Sequence, residues 1–518
     1  MKTVDKFRFF LIFFLLLLYS ILISQKVNFE AADLGRHIKN GELILQGDTL
    51  QKVLSTNLYS YTFPDFPFVN HHWGSGVIFY LVYWVGGFSG ISIFFLLVSL
   101  ITFGFFFSLA VKKSNFATAF LVATALMPLI ADRAEIRPEA FSYFFCGIFW
   151  WILDKASQVE KGRQWRWLFL LPMLEICWVN LHIYFFLGFV FLGIFLIEKV
   201  IKKGIKESRD FFLTLILCGL TSLLNPAGVK GLLYPLQIFG NYGYRVLENQ
   251  SILFLDKIIK YPPGLYFKIG FGLLLLSWVL VFWKRKTFSF VDLILTVFIS
   301  YLGWTAVRNF SLFGFFALPI ISSNLGKFSF SQSLGSEGQD NASRFFLLSS
   351  LTMLIIFILF LTNIPYFRSK SSVGFGLQRG EEQGAEFFLK EQLQGPIFNN
   401  YDNGSYLIYY LYPQERVFVD NRPEAYPKDF FEKTYIPMQE DEKIWKKMEE
   451  KYHFNIIFFY RHDLTPWAQT FLINRIDDPS WSPIYVDNYS IIFAKRNEKN
   501  KKVIERFELP KGMFTVQK

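Results

Sequence analysis

Cysteine and charged residues are both scarce in this chain of 518 residues. The three cysteines, Cys146, Cys177 and Cys218, all fall within hydrophobic segments and lack the spacing of metal ligands. Neither a disulfide framework nor a zinc site is therefore indicated, and we expect the cysteines to be packing residues. Charged residues make up only 18% of the chain, and the sequence has no repeat of fixed period.

Hydrophobic residues, in contrast, make up 52% of the chain and aromatic residues 20%, and the mean hydropathy is +0.30. These values exceed what a soluble domain of this length needs, so the sequence predicts an integral membrane protein. The formal net charge is +11, but the basic residues cluster in short loops between hydrophobic segments. That pattern is typical of topology signals rather than of a groove for DNA, so no nucleic-acid partner is expected.

Eleven hydrophobic segments are candidates for membrane spans, given that a span needs roughly 16 to 22 residues when tilt and local thinning are allowed. Basic residues precede the first segment as in a signal peptide, but no clean cleavage site follows, so we predict a retained span and keep the signal peptide as an alternative. The predicted spans are residues 8–25, 90–111, 115–131, 139–153, 167–181, 184–200, 210–225, 264–283, 288–306, 308–325 and 344–364.

Residues 73–87 form a shorter segment that is rich in glycine and aromatic residues. If this segment does not cross the membrane, the basic loops between the later spans all fall on the side of the basic N-terminus, as the positive-inside rule requires. We therefore predict that it is an interfacial helix on the outer surface. The predicted fold class is a polytopic α-helical membrane protein with about eleven transmembrane helices and an outer C-terminal region.

The change in composition near residue 365 predicts a domain boundary. Residues 1–364 form the predicted transmembrane domain, whose first outer loop is 26–89, and residues 365–518 form a predicted extracytoplasmic α/β domain. The polar stretch 329–343 is predicted to be a cytoplasmic loop.

Short hydrophobic runs and helical patterns alternate in the C-terminal region. Residues 417–420 and 455–460 are predicted strands, and residues 380–394 and 405–411 carry helical patterns. This alternation is the basis for the predicted α/β class of the outer domain.

Asp33 directly follows the first span and is the leading candidate for chemistry. An outer carboxylate can accept a proton from an attacking hydroxyl, or it can bind a divalent cation such as Mg²⁺ or Mn²⁺. The alternative is a helix cap, a common role for Asp. Arg36 and His37 lie within about one turn of Asp33 along the sequence.

Residues 132–139 bring three acids and two arginines together at the junction of two spans. Charges this close to hydrocarbon usually face a protein interior or a water-filled cavity. Arg137 could hold a phosphate with its planar fork, while Asp132 or Glu135 could hold a metal or orient an acceptor. The alternative is an intrahelical salt-bridge cluster at the end of a span.

Other polar residues are predicted to emerge on the same face of the membrane. His71 and His72 open the interfacial helix, and Asn180 and His182 close a tight turn between two spans. The residues of the turn could instead satisfy backbone groups of the loop. Arg308 begins a span at its outer end. A shared site would bring Asp33, Asp132, Glu135, Arg137 and His182 to one cavity.

Several motifs together resemble the bacterial membrane glycosyltransferases of the GT-C superfamily, which includes protein mannosyltransferases, the lipid A aminoarabinose transferase and the catalytic subunit of oligosaccharyltransferase. They are the acid of the first outer loop, residues 57–67 followed by Asn-His-His-Trp at 70–73, Ile-Arg-Pro-Glu at 136–139, Trp-Val-Asn-Leu-His at 178–182 and Leu-Asn-Pro at 224–226. The runs 398–407 and 417–424 are similar to the outer domain of uncharacterised bacterial members.

The resemblance implies a sugar donor carried on a polyprenyl phosphate and an acceptor that is a lipid, a glycan or a protein, with transfer at the outer face of the bacterial cytoplasmic (inner) membrane. Asp33 takes the place of the family's first-loop acid, as general base or metal ligand. The chain has Glu30 and Asp33 there rather than an adjacent acidic pair, so both roles stay open. We expect an inverting transfer in which cationic and polar groups meet the donor phosphate: Arg36, His37, His71, His72, Arg137, Asn180, His182 and Arg308.

Two other functions fit parts of the sequence. A flippase for lipid-linked glycans would need charged residues near the midplane and paired broken helices, whereas most polar residues here gather at one face. An inactive GT-C-like protein whose outer domain binds a partner in the envelope is the other alternative, because fold alone does not establish activity.

Overall fold

A computed structural model describes residues 2–30, 32–160, 162–238, 240–259, 261–328 and 372–514. The chain divides into two compact units. The helical unit comprises Met1–Gln25, Ser92–Asn225 and Arg245–Phe375, and the α/β unit comprises Lys26–Ile91, Pro226–Tyr244 and Gly376–Lys518. The predicted span 344–364, the predicted loop 329–343 and the predicted boundary at 364/365 lie outside the described residues.

The helices of the helical unit follow the hydrophobic segments of the sequence. They are Lys2–Ile23, Phe116–Ile130, Glu139–Gln158, Trp165–Leu168, Leu170–Leu181, Phe186–Lys203, Arg209–Thr221, Ile252–Leu255, Pro263–Trp283, Phe290–Thr305 and Phe310–Gly326, with 3₁₀ turns at Ile183–Phe185, Ile205–Ser208, Leu247–Asn249 and Val307–Asn309. Each of the first ten predicted spans coincides with a helix.

Four helical stretches in the described residues are long and apolar enough to cross a membrane: Trp73–Lys113, Ile183–Lys203, Pro263–Trp283 and Val307–Gly326. Three shorter apolar helices accompany them, Arg8–Ile23, Phe116–Ile130 and Phe290–Thr305. These lengths and compositions are those of a polytopic membrane protein, and the predicted count of eleven spans stays a prediction.

The helix Phe310–Gly326 lies at the centre of the helical unit and packs against Phe116–Ile130, Pro263–Trp283 and Phe290–Thr305. Its residues from Phe310 to Asn324 are all buried. A helix that is apolar on every side and buried on every side is an internal helix, so this element forms the core around which the neighbouring helices pack.

The helix Trp73–Lys113 is interrupted at Gly87, where φ is 58° and ψ is −157°. This positive φ is costly for any residue with a side chain, and glycine adopts it freely. The interruption falls at the end of the segment 73–87, which was predicted to be a separate helix. The predicted interfacial position of that segment stays a prediction.

The α/β unit combines the first loop, a middle segment and the C-terminal region of the chain. Its helices are Leu34–Gln46, Leu50–Ser55, Val229–Leu233, Gln383–Lys390, Gly404–Leu411, Lys428–Phe430, Pro437–Glu440, Glu442–Tyr452, Ala468–Asp477 and Lys501–Phe507, with a π-helical turn at Phe431–Tyr435 and 3₁₀ turns at Tyr234–Leu236, Pro423–Ala425 and Lys511–Met513. The helical patterns predicted at 380–394 and 405–411 are confirmed.

One small sheet forms the centre of the α/β unit. Its strands are β1 (Ile397–Asn399), β2 (Ile456–Tyr460), β3 (Trp481–Val486) and β4 (Ser490–Lys495), in the spatial order β1-β2-β4-β3. Strands β1 and β2 are parallel, and the other pairs are antiparallel. The apolar runs of β2 and β4 are buried on both faces, as continuous hydrophobic strands require.

The predicted strand at 417–420 is wrong. Only Val417 pairs in the manner of a strand, through a single bridge with Ser60. The side chain of Asn399 instead forms hydrogen bonds with the backbone of this segment. It accepts from Phe418 N at 2.9 Å and donates to Val419 O at 2.8 Å. A side-chain amide therefore supplies the hydrogen bonds that a neighbouring strand would otherwise provide.

Candidate active site

Asp33 immediately precedes the helix Leu34–Gln46, yet its side chain does not cap that helix. The carboxylate Oδ1 instead accepts a hydrogen bond from the Asn421 side-chain amide, and the residue is half-buried. The capping interpretation is therefore not what the structure shows. Asp33 and Asn421 are 388 residues apart in sequence, so this carboxylate is positioned by tertiary structure.

Arg36 lies one helical turn after Asp33 and is only 4% exposed. Its backbone N–H donates to Ser405 Oγ at 2.8 Å, which fixes the start of the helix. Its side-chain Nε is buried and has no hydrogen-bond partner among the described residues. Burial and the nearby Arg422 lower the pKa of Arg36, although the neighbouring acids oppose this shift.

Arg422 differs from Arg36 because the guanidinium of Arg422 has several hydrogen-bond acceptors. Its guanidinium donates to both oxygens of Asp420, at 2.7 and 2.6 Å, and to Asn57 Oδ1 at 2.7 Å. The guanidinium carbon lies 4.7 Å from the ring centroid of Phe68. This bidentate pair with an aromatic contact holds the loop at 420–424 against the first loop of the chain.

Glu424 is a second carboxylate in the neighbourhood of Arg36 and Arg422. It is half-buried and forms no ion pair within the described part of the chain. Burial raises the pKa of Glu424, although the two guanidinium groups act in the opposite direction. The buried Tyr401 lies in the electrostatic field of Glu424 and Asp33, so these side chains occupy one region of the α/β unit.

Three of the predicted histidines also come together in this unit. The rings of His37 and His72 have centroids 5.5 Å apart, and those of His71 and His72 are 3.9 Å apart. The ring of His71 also lies 5.0 Å from that of Tyr234. The sequence predicted these histidines, but it did not place Asn421, Arg422 and Glu424 near Asp33. The run at 417–424, noted for its resemblance to an outer domain, marked these residues without showing their position.

Arg137 and Arg308, which belong to the helical unit, are paired with carboxylates. Arg137 Nη1 donates to both oxygens of Glu248, at 2.9 and 2.8 Å. Arg308 Nε donates to Glu139 Oε1 at 3.0 Å. Arg133 joins the two acids, with distances of 2.9 Å to Glu139 and 3.0 Å to Glu248.

This group of three arginines and two glutamates, here called the arginine cluster, consists of salt bridges, but it is not the intrahelical cluster that was the alternative for residues 132–139, because Glu248 and Arg308 come from distant segments. Burial alone would raise the pKa of Glu248, but the guanidinium groups of Arg137, Arg133 and Arg308 hold it well below its ordinary value. Arg133, Glu135 and Glu139 also line a small cavity of about 10 Å³ beside Tyr19 and Tyr143, enough for about one water molecule.

Asn180 and His182 satisfy local groups in the helical unit. The Asn180 amide donates to the carbonyls of Ile176 and Leu224, at 2.8 and 2.9 Å. His182 Nδ1 lies 2.7 Å from Ser142 Oγ, which itself accepts from Trp178 Nε1 at 2.7 Å. The Ser142 hydroxyl oxygen accepts from the indole, and the hydroxyl hydrogen can then be donated to the imidazole. His182 Nδ1 is therefore the acceptor of this hydrogen bond.

The three residues predicted as metal ligands do not lie in one unit. Asp33 belongs to the α/β unit, whereas Asp132 and Glu135 belong to the helical unit, where Glu135 is 3.0 Å from Arg137. The described residues contain no group of three or more His, Cys, Asp or Glu side chains that could hold a metal ion. The group next to Asp33 is a positively charged guanidinium rather than further oxygen ligands. These residues therefore do not fit a divalent metal ion held by protein groups alone.

Apolar helices of membrane-spanning length combine in this protein with a small C-terminal sheet, and the same fold is found in solved structures of an oligosaccharyltransferase and of ArnT. An archaeal oligosaccharyltransferase, AglB from Archaeoglobus fulgidus in complex with an inhibitory peptide and a dolichol-phosphate, is similar with a TM-score of 0.57 and 11% identity, covering 92% of this chain and 73% of that one. The apo form of the Archaeoglobus fulgidus enzyme gives a TM-score of 0.54 at 11% identity, covering 86% and 69%.

The aminoarabinose transferase ArnT from Cupriavidus metallidurans in the apo state is similar over nearly its whole length. Its TM-score is 0.54 at 12% identity, and the match covers 95% of this chain and 97% of that one. No protein-family profile and no curated protein sequence matches the chain. The likeness is therefore one of fold, and the function must be argued from the site.

Proposed function

We propose that this protein is a glycosyltransferase that moves a sugar from a polyprenyl-phosphate-linked donor to a lipid, glycan or protein acceptor. The transfer would take place at the outer face of the bacterial cytoplasmic membrane, with the α/β unit outside. The observation that carries the proposal is the buried Arg36 guanidinium, whose Nε has no hydrogen-bond partner in the described structure, beside the carboxylate of Asp33.

A buried guanidinium with an unsatisfied N–H donor is costly, and an anionic ligand that accepts from Nε would remove that cost. The planar guanidinium suits phosphate because it can donate two parallel hydrogen bonds. The helix Leu34–Gln46 begins next to Arg36, and the N-terminus of a helix favours negative charge. These properties suit Arg36 to the phosphate of a donor. Because the protein resides in the membrane, a lipid-linked phosphate is the proposed donor.

Asp33 is the proposed general base. It would accept the proton of the acceptor hydroxyl while the hydroxyl oxygen forms a bond to the anomeric carbon of the sugar. The bond between that carbon and the phosphate oxygen would break in the same step, and the phosphate would leave with the electron pair beside Arg36. Attack opposite the leaving group inverts the configuration at the sugar carbon.

Asn421 gives this base a fixed orientation, because its amide donates to Asp33 Oδ1. Holding a reacting group in its productive geometry lowers the entropic part of the barrier. His37, His71 and His72 lie on the same unit and are proposed to contact the donor phosphate or its surroundings. Arg137, Asn180, His182 and Arg308 are weaker candidates because each already has protein partners.

Binding of the donor is the direct test. Purified protein in lipid nanodiscs is titrated with undecaprenyl phosphate, comparing the wild type with Arg36→Ala and Arg36→Lys. We expect Arg36→Ala to lose binding by about tenfold or more and Arg36→Lys to be intermediate, because one charge-assisted contact contributes roughly 1.5–3 kcal/mol. Lys39→Ala on the same helix, whose partner is Glu42, is the control and should bind as the wild type does. Equal binding by Arg36→Ala would contradict the proposal.

Turnover separates the proposed transferase from the alternatives. A flippase or an inactive binding protein would bind the lipid without releasing undecaprenyl phosphate from a glycosylated donor, whereas a transferase releases it when an acceptor is present. A divalent cation acting with Asp33 is a separate proposal. Loss of turnover in EDTA, restored by Mg²⁺ or Mn²⁺, would support it.

A further inference from the structure

Glu424 has no part in the reaction described above, although it lies near both Arg36 and Arg422. We propose that Glu424 and the hydroxyl of Tyr401 bind hydroxyl groups of the donor sugar, so that the C-terminal region selects which sugar is transferred. This inference rests on the proposed function, since it concerns the sugar of the same phosphate-linked donor.

The backbone around Glu424 is fixed from several directions. Arg422 is bound to Asp420 and Asn57, and Asn421 is bound to Asp33. Pro423 then opens the single 3₁₀ turn Pro423–Ala425 with its restricted φ. A carboxylate on so constrained a segment has a defined position relative to Asp33, which is a requirement for selecting one ligand over another.

The charge around Glu424 favours a neutral polar ligand. Arg422 is already saturated by the two oxygens of Asp420, and Glu424 forms no ion pair in the described residues. A bare carboxylate would repel the donor phosphate at close range. The hydroxyl groups of a sugar carry no charge and can donate to a carboxylate, so they are the part of the donor that Glu424 suits.

Tyr401 provides a second polar group in a rigid setting. Its ring stacks on Tyr244 with centroids 4.1 Å apart, and its backbone N–H donates to the hydroxyl of Tyr435 at 2.7 Å. The residue is 5% exposed, and its hydroxyl is not among the fully buried polar atoms that lack a partner, so the polar tip of this largely buried ring is the part that a ligand can reach. A tyrosine hydroxyl can both donate and accept, and a sugar hydroxyl would supply a partner.

Two classes of lipid that differ only by the presence of the sugar separate this inference from the proposed function. Undecaprenyl phosphate and undecaprenyl-phosphate glucose, galactose and mannose are titrated onto the wild type, Glu424→Gln, Tyr401→Phe and the control Glu432→Gln, whose carboxylate is exposed. We expect the wild type to bind one glycosylated lipid more tightly than undecaprenyl phosphate. Glu424→Gln and Tyr401→Phe should reduce that preference by about tenfold and leave binding of undecaprenyl phosphate within about twofold of the wild type.

Failure of the sugar-binding role and failure of the proposed function give different results. If Glu424→Gln weakens both classes of lipid equally, or weakens neither, the sugar-binding role is wrong while the phosphate role stands. A wild type that shows no preference for any glycosylated lipid overturns the inference as well. If undecaprenyl phosphate itself fails to bind the wild type, the proposed function fails and the inference fails with it. Thermal unfolding of each variant excludes a loss of folding as the cause.

Discussion

Two groups of charged residues, one in each unit, differ in how their charges are paired. In the arginine cluster of the helical unit, Arg133 and Arg308 meet Glu139, and Arg137 meets Glu248. Near Asp33 in the α/β unit, Arg422 is paired with Asp420, whereas the buried Arg36 has no hydrogen-bond partner for its Nε among the described residues. Removing one partner of a buried pair is costly, and a buried charged group with an unsatisfied donor lowers stability unless a ligand satisfies it.

Asp33→Asn should produce the largest effect, because it removes the proposed base but keeps the side-chain shape. Turnover of a glycosylated undecaprenyl phosphate should fall by about 10²–10⁴-fold, the usual contribution of a general base. Binding of undecaprenyl phosphate should change little, since Arg36 is retained. Single-turnover release of undecaprenyl phosphate measures the effect, and undiminished turnover would remove Asp33 from catalysis.

The buried carboxyl groups of Glu30 and Glu381 should make the stability of the protein depend on pH. Both are fully buried in the α/β unit, and one oxygen of each has no hydrogen-bond partner in the described structure. Burial raises the pKa of Glu381 to about 8 and that of Glu30 well above its ordinary value, in the latter case with help from Asp487. The folded protein therefore favours their protonated forms.

The sign of the pH effect follows from the raised pKa of Glu381. Its contribution to stability is fully present below the ordinary value of 4.5 and is lost as the pH rises through about 8. We expect the Tm of the protein to fall over this range, and the fall to be shallower for Glu381→Gln, which mimics the protonated acid. Identical pH profiles of Tm for the variant and the wild type would contradict the prediction.

Opposite effects on stability are expected from substitutions in the two groups of charges. Glu139→Gln removes a carboxylate from Arg133 and Arg308 and should destabilise the protein by about 3 kcal/mol, because buried charges then lack a partner. Arg36→Met removes a buried guanidinium whose Nε is unsatisfied and should be neutral or stabilising by about 1 kcal/mol. Thermal unfolding in detergent measures both, and destabilisation by Arg36→Met would remove the distinction between the arginine cluster and Arg36.

The smallest effect should come from the exposed edge of the arginine cluster. Glu135 is 52% exposed and pairs with Arg137 at 3.0 Å, and exposed pairs contribute about 0–1 kcal/mol. Glu135→Gln should therefore leave Tm and turnover close to those of the wild type. A marked loss of turnover with unchanged Tm would instead restore Glu135 to the site.

The positions of the helices could be predicted from the sequence because hydrophobic runs are a local signal. The segment 73–87 was set apart from the spans by charge bias instead, and its end coincides with the break at Gly87. The partners of the charged residues could not be predicted in this way. Glu248 lies 111 residues from Arg137, and Asn421 lies 388 residues from Asp33, and nothing in one sequence connects such distant positions.

Residue type also proved insufficient to assign a role. Asp33 had the sequence position of a helix cap, and only its contact with Asn421 distinguishes it from one. Arg36 and Arg137 looked equally suited to phosphate, yet only Arg137 meets carboxylates. Residues 417–420 have the composition of a strand, but Asn399 supplies their hydrogen bonds instead.

The interleaving of the chain in the α/β unit has a consequence for biogenesis. Asp33 leaves the ribosome early, whereas Asn421, which orients it, follows 388 residues later. Contacts between such distant segments form late in folding because the intervening chain must first be closed into a loop. Under the proposed function, a nascent chain that has inserted most of its helices would therefore still lack an oriented base, and glycosyl transfer would begin only when the C-terminal region has joined Asp33.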